Sequence, residues 1–184
     1  MTVRSAPAAA TVVAPLAIGV TVAVALGVYG SIHDPTGRSF AVLGFESVSA
    51  WKSGLASAVV VLFVAQLGLA LRFNDAATED HPVPSWAMDT RRILGTLSFG
   101  LSLPVVFHCL WALGFRSDDT RLLVHSLAGC VAYGVYVANV TGDQQQRGPW
   151  GSAQLGAALG IALMAAWWSS AAFHFSSVVV GVQL

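Results

Sequence analysis

Between Lys52 and Arg72 no side chain carries a charge. As a helix, a run of that length crosses a hydrocarbon core about 30 Å thick. Similar runs recur, so that helices are predicted near residues 9–29, 54–71, 93–115, 122–140 and 152–175. Arg91, Arg92 and Arg116 bracket the third run and Arg121 precedes the fourth. No Asp, Glu, Lys or Arg follows Arg147, which leaves the end of the fifth run undefined. Backbone N–H and C=O groups facing lipid must be paired within the chain, and continuous runs of this kind achieve that as helices. The predicted fold is therefore all-α, a polytopic membrane bundle of about five transmembrane helices forming one domain over 1–184. Composition agrees: 10% of residues are charged, against about 25% in water-soluble domains. The net charge of zero offers no basic patch for nucleic acid. The expected surroundings are a lipid bilayer, the inner (plasma) membrane.

The N-terminus has an Arg4 and an Ala8-Ala9-Ala10 cluster that resemble parts of a signal peptide. The alanines precede the apolar run instead of following it, so the first run reads as a retained helix or signal anchor. Asp34-Pro35-Thr36-Gly37 is a turn sequence, and residues 40–51 have the mixed polarity of a short interfacial helix. The most polar connection runs from Arg72 to Arg92, with Pro82-Val83-Pro84 inside it, and residues 141–149 form a last polar loop. Only residues 116–121 separate the third and fourth helices, which predicts a tight antiparallel hairpin. Counting Lys and Arg near the helix ends places Arg4, Arg72, Arg91, Arg92 and Arg147 inside, with Arg38, Lys52, Arg116 and Arg121 outside. That balance favours a cytoplasmic N-terminus.

Small residues four apart suit close helix contact in lipid: Gly54 with Ala58, Gly134 with Ala138, Gly156 with Gly160. Trp51, Trp86, Trp111 and Trp150 fall near helix ends, as in an aromatic belt, whereas Trp167 and Trp168 lie deeper and are expected to pack. Cys109 and Cys130 have no zinc-ligand spacing and read as small core residues.

His33 and His81 lie in polar loops and read as solvated. His108, His125 and His174 are the ionisable residues of the predicted spans, and such residues commonly face the bundle interior and carry function. At about 1.5 Å per residue, His108 lies ~10 Å and His125 ~6 Å below the outer ends of their helices, and His174 lies ~33 Å along the fifth, near its outer end. The three share one layer. Neutral imidazole is a good ligand for haem iron, and a bundle core is a natural place to hold such a group. Gly129, one turn from His125 on the same face, removes a side chain where a porphyrin could lie. Pro104 frees the carbonyl of Gly100 and predicts a kink below His108. Phe107, Trp111, Tyr133 and Tyr136 are candidates to line the pocket.

Pro104-Val105-Val106-Phe107-His108-Cys109-Leu110-Trp111-Ala112-Leu113-Gly114-Phe115, followed by Arg121-Leu122-Leu123-Val124-His125-Ser126-Leu127-Ala128-Gly129-Cys130, resembles an uncharacterised family of actinobacterial membrane proteins. More distantly it is similar to cytochrome b-561 and ferric-reductase-like transmembrane domains. The close likeness covers roughly residues 91–140. Cytochrome b-561 proteins bind two haems through histidines of four core helices, one haem near each membrane face. Here the predicted spans have no histidine near the inner face and none in the second helix, so the resemblance implies at most one haem, near the outer face. The expected axial ligands are His108 and His125, with His174 as substitute or supporting partner. The alternate-helix pattern of cytochrome b-561 would instead pair His108 with His174.

The expected function is thus membrane electron transfer through one b-type haem, exchanging electrons with quinol or a redox partner, within an oxidoreductase system. The alternative is a non-catalytic subunit or assembly factor of a respiratory or redox complex. A transporter would place charge or broken helices at mid-membrane, where Gln66 is the only strongly polar residue of the second span. No hydrolase motif is present.

Overall fold

Ser47 starts the second helix. Its hydroxyl accepts the Ala50 N–H at 3.1 Å, and its carbonyl accepts that of Trp51 at 3.0 Å, which together satisfy two of the amides a helix start leaves open. In the computed structural model, which describes residues 8–38, 44–74, 83–142 and 144–180, the helices are α1 (Ala8–Ile32), α2 (Val48–Asn74), α3 (Ser85–His108), α4 (Thr120–Thr141), α5 (Gln144–Trp167) and α6 (Phe173–Val180). Two π-helical turns, Cys109–Leu113 and Trp168–Ala172, prolong α3 and join α5 to α6. The described residues are helical with no strand. Five stretches are long and apolar enough to cross a membrane: Val13–Ile32, Val48–Phe73, Ser85–Leu113, Thr120–Thr141 and Ala153–Ser177. Their outward faces are apolar, with Val61 66% and Ile161 72% exposed, a surface suited to lipid and not to water.

The helices overrun the apolar segments at their polar ends. Val48 to Trp51 make the first turn of α2, not a separate interfacial helix; residues 40–43 of that expectation lie outside the described residues. α3 begins at Ser85, after Pro84, and carries Asp89, Arg91 and Arg92 before reaching its apolar part. The polar stretch expected as a loop over 141–149 is mostly helical, since α5 starts at Gln144. Hydropathy marks where lipid begins, whereas a helix continues through the interface until a cap or proline stops it. His81 and the side chain of Trp150 lie outside the described residues.

Lateral packing follows backbone approach. α1 crosses α4 where Gly19 meets Gly134: a Cβ built on Gly134 would lie 2.6 Å from the Gly19 carbonyl oxygen and 2.8 Å from Ala23 Cβ. α4 also packs on α5, and α2 packs on α3. Gly160 backs onto Phe63 of α2, and Gly54 onto Phe45, but Gly156 meets nothing within 4 Å. α3 and α4 differ from the expected close hairpin. Their connection, 114–119, is short, yet their backbones scarcely approach. Large side chains span the gap: Phe99 stacks on Tyr136 at 4.8 Å, and the Tyr133 hydroxyl donates to Ser102 Oγ at 2.7 Å. The bundle thus has two packed groups, α2 with α3 and α1 with α4 and α5, joined where α2 meets α5 and the second π-helical turn and loose between α3 and α4.

Gln66 joins α2 to α3 in mid-membrane by donating to Ser98 Oγ at 3.3 Å. Such interhelical bonds average about 0.6 kcal/mol in membranes. Gln66→Leu is therefore expected to lower the detergent melting temperature by no more than roughly 4 °C, as circular dichroism on the purified variant would show.

Candidate functional site

A π-helical turn accommodates an extra residue, shifts the hydrogen-bond ladder and leaves carbonyls available to other donors. Both such turns lie at the same end of the bundle, each beside a histidine. Cys109–Leu113 follows His108 directly. Its Trp111 carbonyl accepts the Thr36 N–H at 3.2 Å and His33 Nε2 at 3.3 Å, and its Ala112 carbonyl accepts the Gly37 N–H at 3.1 Å. The Asp34-Pro35-Thr36-Gly37 turn therefore caps α3, and His33, stacked on Tyr29 at 5.0 Å, ties it down instead of standing in solvent. Gly114 ends the turn at φ 70°, where a Cβ would lie 3.1 Å from the Gly30 carbonyl oxygen; a residue with a side chain is disfavoured there on both counts. In the connection that follows, Arg116 forks onto Asp118 with two bonds of 2.7 Å and holds that carboxyl down at about 2.

The second π-helical turn, Trp168–Ala172, faces His125. The His125 Nδ1 lies 3.0 Å from the Ala166 carbonyl oxygen and 3.4 Å from Ser169 Oγ. A carbonyl only accepts, so Nδ1 carries the hydrogen, and in the neutral ring Nε2 is left with a lone pair. Nε2 has no hydrogen bond among the described residues and is not among their buried unpartnered atoms. Ser169 donates to Ala165 O at 2.7 Å, and its own carbonyl accepts Arg121 Nη1 at 2.8 Å. The Arg121 guanidinium lies 4.2 Å over the Phe173 ring. These contacts fix α4 against the α5–α6 junction around His125.

His125 lines a cavity of about 120 Å³ between α1, the π-helical end of α3 and α4. Gly129 lines it too, and a Cβ there would meet nothing within 4 Å, the open space expected of it. Leu26, Val106, Leu110 and Phe115 make its walls mainly apolar. Cys109 and Cys130, expected as plain core residues, both face this cavity as free cysteines.

His108 takes a different direction. It is 4% exposed, sets its ring edge-on to Trp51 of α2 at 6.2 Å and does not line the cavity. Its Nδ1 and Trp51 Nε1 are both buried without a hydrogen-bond partner. His174 lies half-buried on α6 beside Phe175, at 5.8 Å. Among the described residues no hydrogen bond or ring contact joins it to the other two histidines, and no group of three His, Cys, Asp or Glu side chains gathers closely enough to hold a metal ion. The three histidines share one end of the bundle, but of the three only His125 lines this cavity.

The aromatic expectations divide. Phe107 is 48% exposed and stacks on Trp111 at 5.7 Å, outside the cavity, while Tyr133 and Tyr136 pack on Phe99. Trp51, expected in an interfacial belt, is fully buried; Trp168, expected to pack, is 70% exposed. Trp86 is 56% exposed at the start of α3, as a belt residue should be, and Trp167 packs by donating to Ser57 Oγ at 2.9 Å. Ala166 and Ser169 carry no sequence signal as site residues, since what they offer His125 is a backbone carbonyl and a small hydroxyl.

A five-span helical bundle with a one-sided polar site defines the class of protein, a multi-pass membrane protein. A family model described as a family of unknown function, DUF6529, matches residues 12–182, and the chain belongs to that family. No curated protein and no solved structure matches it.

Proposed function

We propose that this chain is a plasma-membrane electron-transfer protein whose redox group docks at His125, exchanging electrons with a quinol or a redox partner on the side of the membrane where His108 and His174 also lie. The observation that supports it is the state of His125. Its Nδ1–H is fixed by the Ala166 carbonyl, so a neutral ring keeps an acceptor at Nε2, and the residue lines a mainly apolar cavity. A hydrogen bond of this kind orients an imidazole for ligation or for pairing with a bound molecule.

Haem b fits these residues in part. His125 would supply a ligand nitrogen, Gly129 would leave its plane room, and the haem would carry one electron at a time. His108, the expected second ligand, faces Trp51 and not the cavity. The cavity, about 120 Å³, is also below the roughly 300–1,000 Å³ typical of pockets for drug-sized ligands. A haem held between both histidines therefore does not fit the side chains as they stand, and quinol exchange at His125 has the better support.

Reduced-minus-oxidised spectra of the purified protein test the haem. If it is resident, an α band and a Soret band are expected, both lost in His125→Ala. A preparation from haem-sufficient cells without either band excludes a resident haem and leaves quinol exchange to be read directly, as oxidation of a soluble quinol in the presence of a haem-protein acceptor. A chain that does neither and co-purifies with a larger complex is instead a non-catalytic subunit or assembly factor.

A further inference from the structure

The polar groups around the cavity can be followed one by one. The Ser126 hydroxyl donates to the Arg116 carbonyl at 3.2 Å and accepts the Arg116 N–H at 3.1 Å. The Arg116 guanidinium is forked onto Asp118. The two thiols are weak donors and weak acceptors. His125 Nδ1 is held by Ala166. Among the lining side chains the strong group with no hydrogen bond among the described residues is His125 Nε2, and the tautomer makes it an acceptor.

We infer that the cavity binds a lipid-soluble hydroquinone in its reduced form, one ring hydroxyl donating to His125 Nε2. This rests on the electron-transfer reading and adds the polarity of the ligand to it. The cavity, about 120 Å³ and open on one side, is smaller than the engineered apolar cavity of about 150 Å³ that accepts benzene, so the hydroxyl-bearing edge of one ring enters it while the far substituents and the tail stay outside among acyl chains. The ring is uncharged, because the lining guanidinium is already neutralised by Asp118. It carries a hydroxyl, because a quinone carbonyl and an ether oxygen only accept, and either one would bring an acceptor against an acceptor. Leaving a desolvated acceptor unpaired weakens binding by about tenfold or more. The site therefore prefers the hydroquinone to the quinone.

The test uses the full-length protein in detergent with tetramethylhydroquinone, kept reduced under anaerobic conditions, tetramethylquinone and the dimethyl ether of the hydroquinone. Binding is followed by quenching of tryptophan fluorescence. The hydroquinone is expected to bind at least about tenfold more tightly than either of the others. His125→Phe should erase that preference, and Gly129→Leu should weaken all three while leaving the helical circular dichroism unchanged. Quinone binding equal to or tighter than hydroquinone binding overturns the inference and leaves the electron-transfer reading standing. No binding of any of the three, in a folded protein that exchanges no electrons with quinol, overturns both. Should His125→Phe fail to fold, the ligand comparison on the unaltered protein still decides.

Discussion

Gly134→Val breaks the bundle at its tightest crossing. The added Cβ would lie 2.6 Å from the Gly19 carbonyl oxygen and 2.8 Å from Ala23 Cβ, closer than atoms can stand, and one of those neighbours is backbone. No side chain can swing aside to relieve it, so α1 and α4 must separate. Overpacking in a well-fitted core costs typically about 1–3 kcal/mol, and lipid gives no compensating hydrophobic gain because acyl chains are as apolar as valine. At the upper end, a loss of about 3 kcal/mol lowers the melting temperature of a chain this size by roughly 6–12 °C. Thermal unfolding in detergent, followed by circular dichroism, measures it. A melting curve unchanged from the parent would show that the Gly19–Gly134 crossing does not hold the bundle. Gly19→Val acts on the same contact, so the double variant should lose less than the sum of the singles.

Replacing the glycine five residues earlier on α4 has the opposite expected outcome. Gly129→Leu meets no neighbour with its Cβ, and the rest of the side chain enters the cavity beside His125. Glycine inside a helix is about 1 kcal/mol worse than alanine, so the fold should keep or slightly gain stability. Occupancy of the site, on the other hand, should fall by tenfold or more, because a leucine takes up most of a cavity of about 120 Å³. Melting temperature and ligand binding measured on one preparation separate the two effects. A variant that binds ligand as the parent does would remove this cavity as the site.

The contrast marks what residue order could and could not convey. Depth was legible. Uncharged runs between Lys52 and Arg72, or between Arg92 and Arg116, say where lipid begins, and they located five spans and put His108, His125 and His174 at one end. Direction around each helix axis was not legible. In water an apolar stripe points to the core, but in a bilayer the outward face is apolar too, so nothing distinguished Trp51, fully buried, from Trp168, 70% exposed. His108 and His125 were expected to face each other for the same reason, whereas His108 faces Trp51 and His125 faces Ala166. Gly129 and Gly134 show the remaining ambiguity. Both are helix-interior glycines that hydropathy treats alike, yet one borders open space and the other a backbone oxygen.

The Gly19–Gly134 crossing also fixes an order of events during biosynthesis. More than a hundred residues separate the two glycines along the chain, and at ribosomal rates of about 5–20 residues per second that interval lasts on the order of ten seconds. In its last part, once α3 is complete, α2 and α3 can already pair. α1 has to wait in the bilayer with its glycine face against lipid until α4 emerges. The first helix made thus waits longest for its main partner, and the newborn chain passes through a stage as a lone anchor beside a finished hairpin.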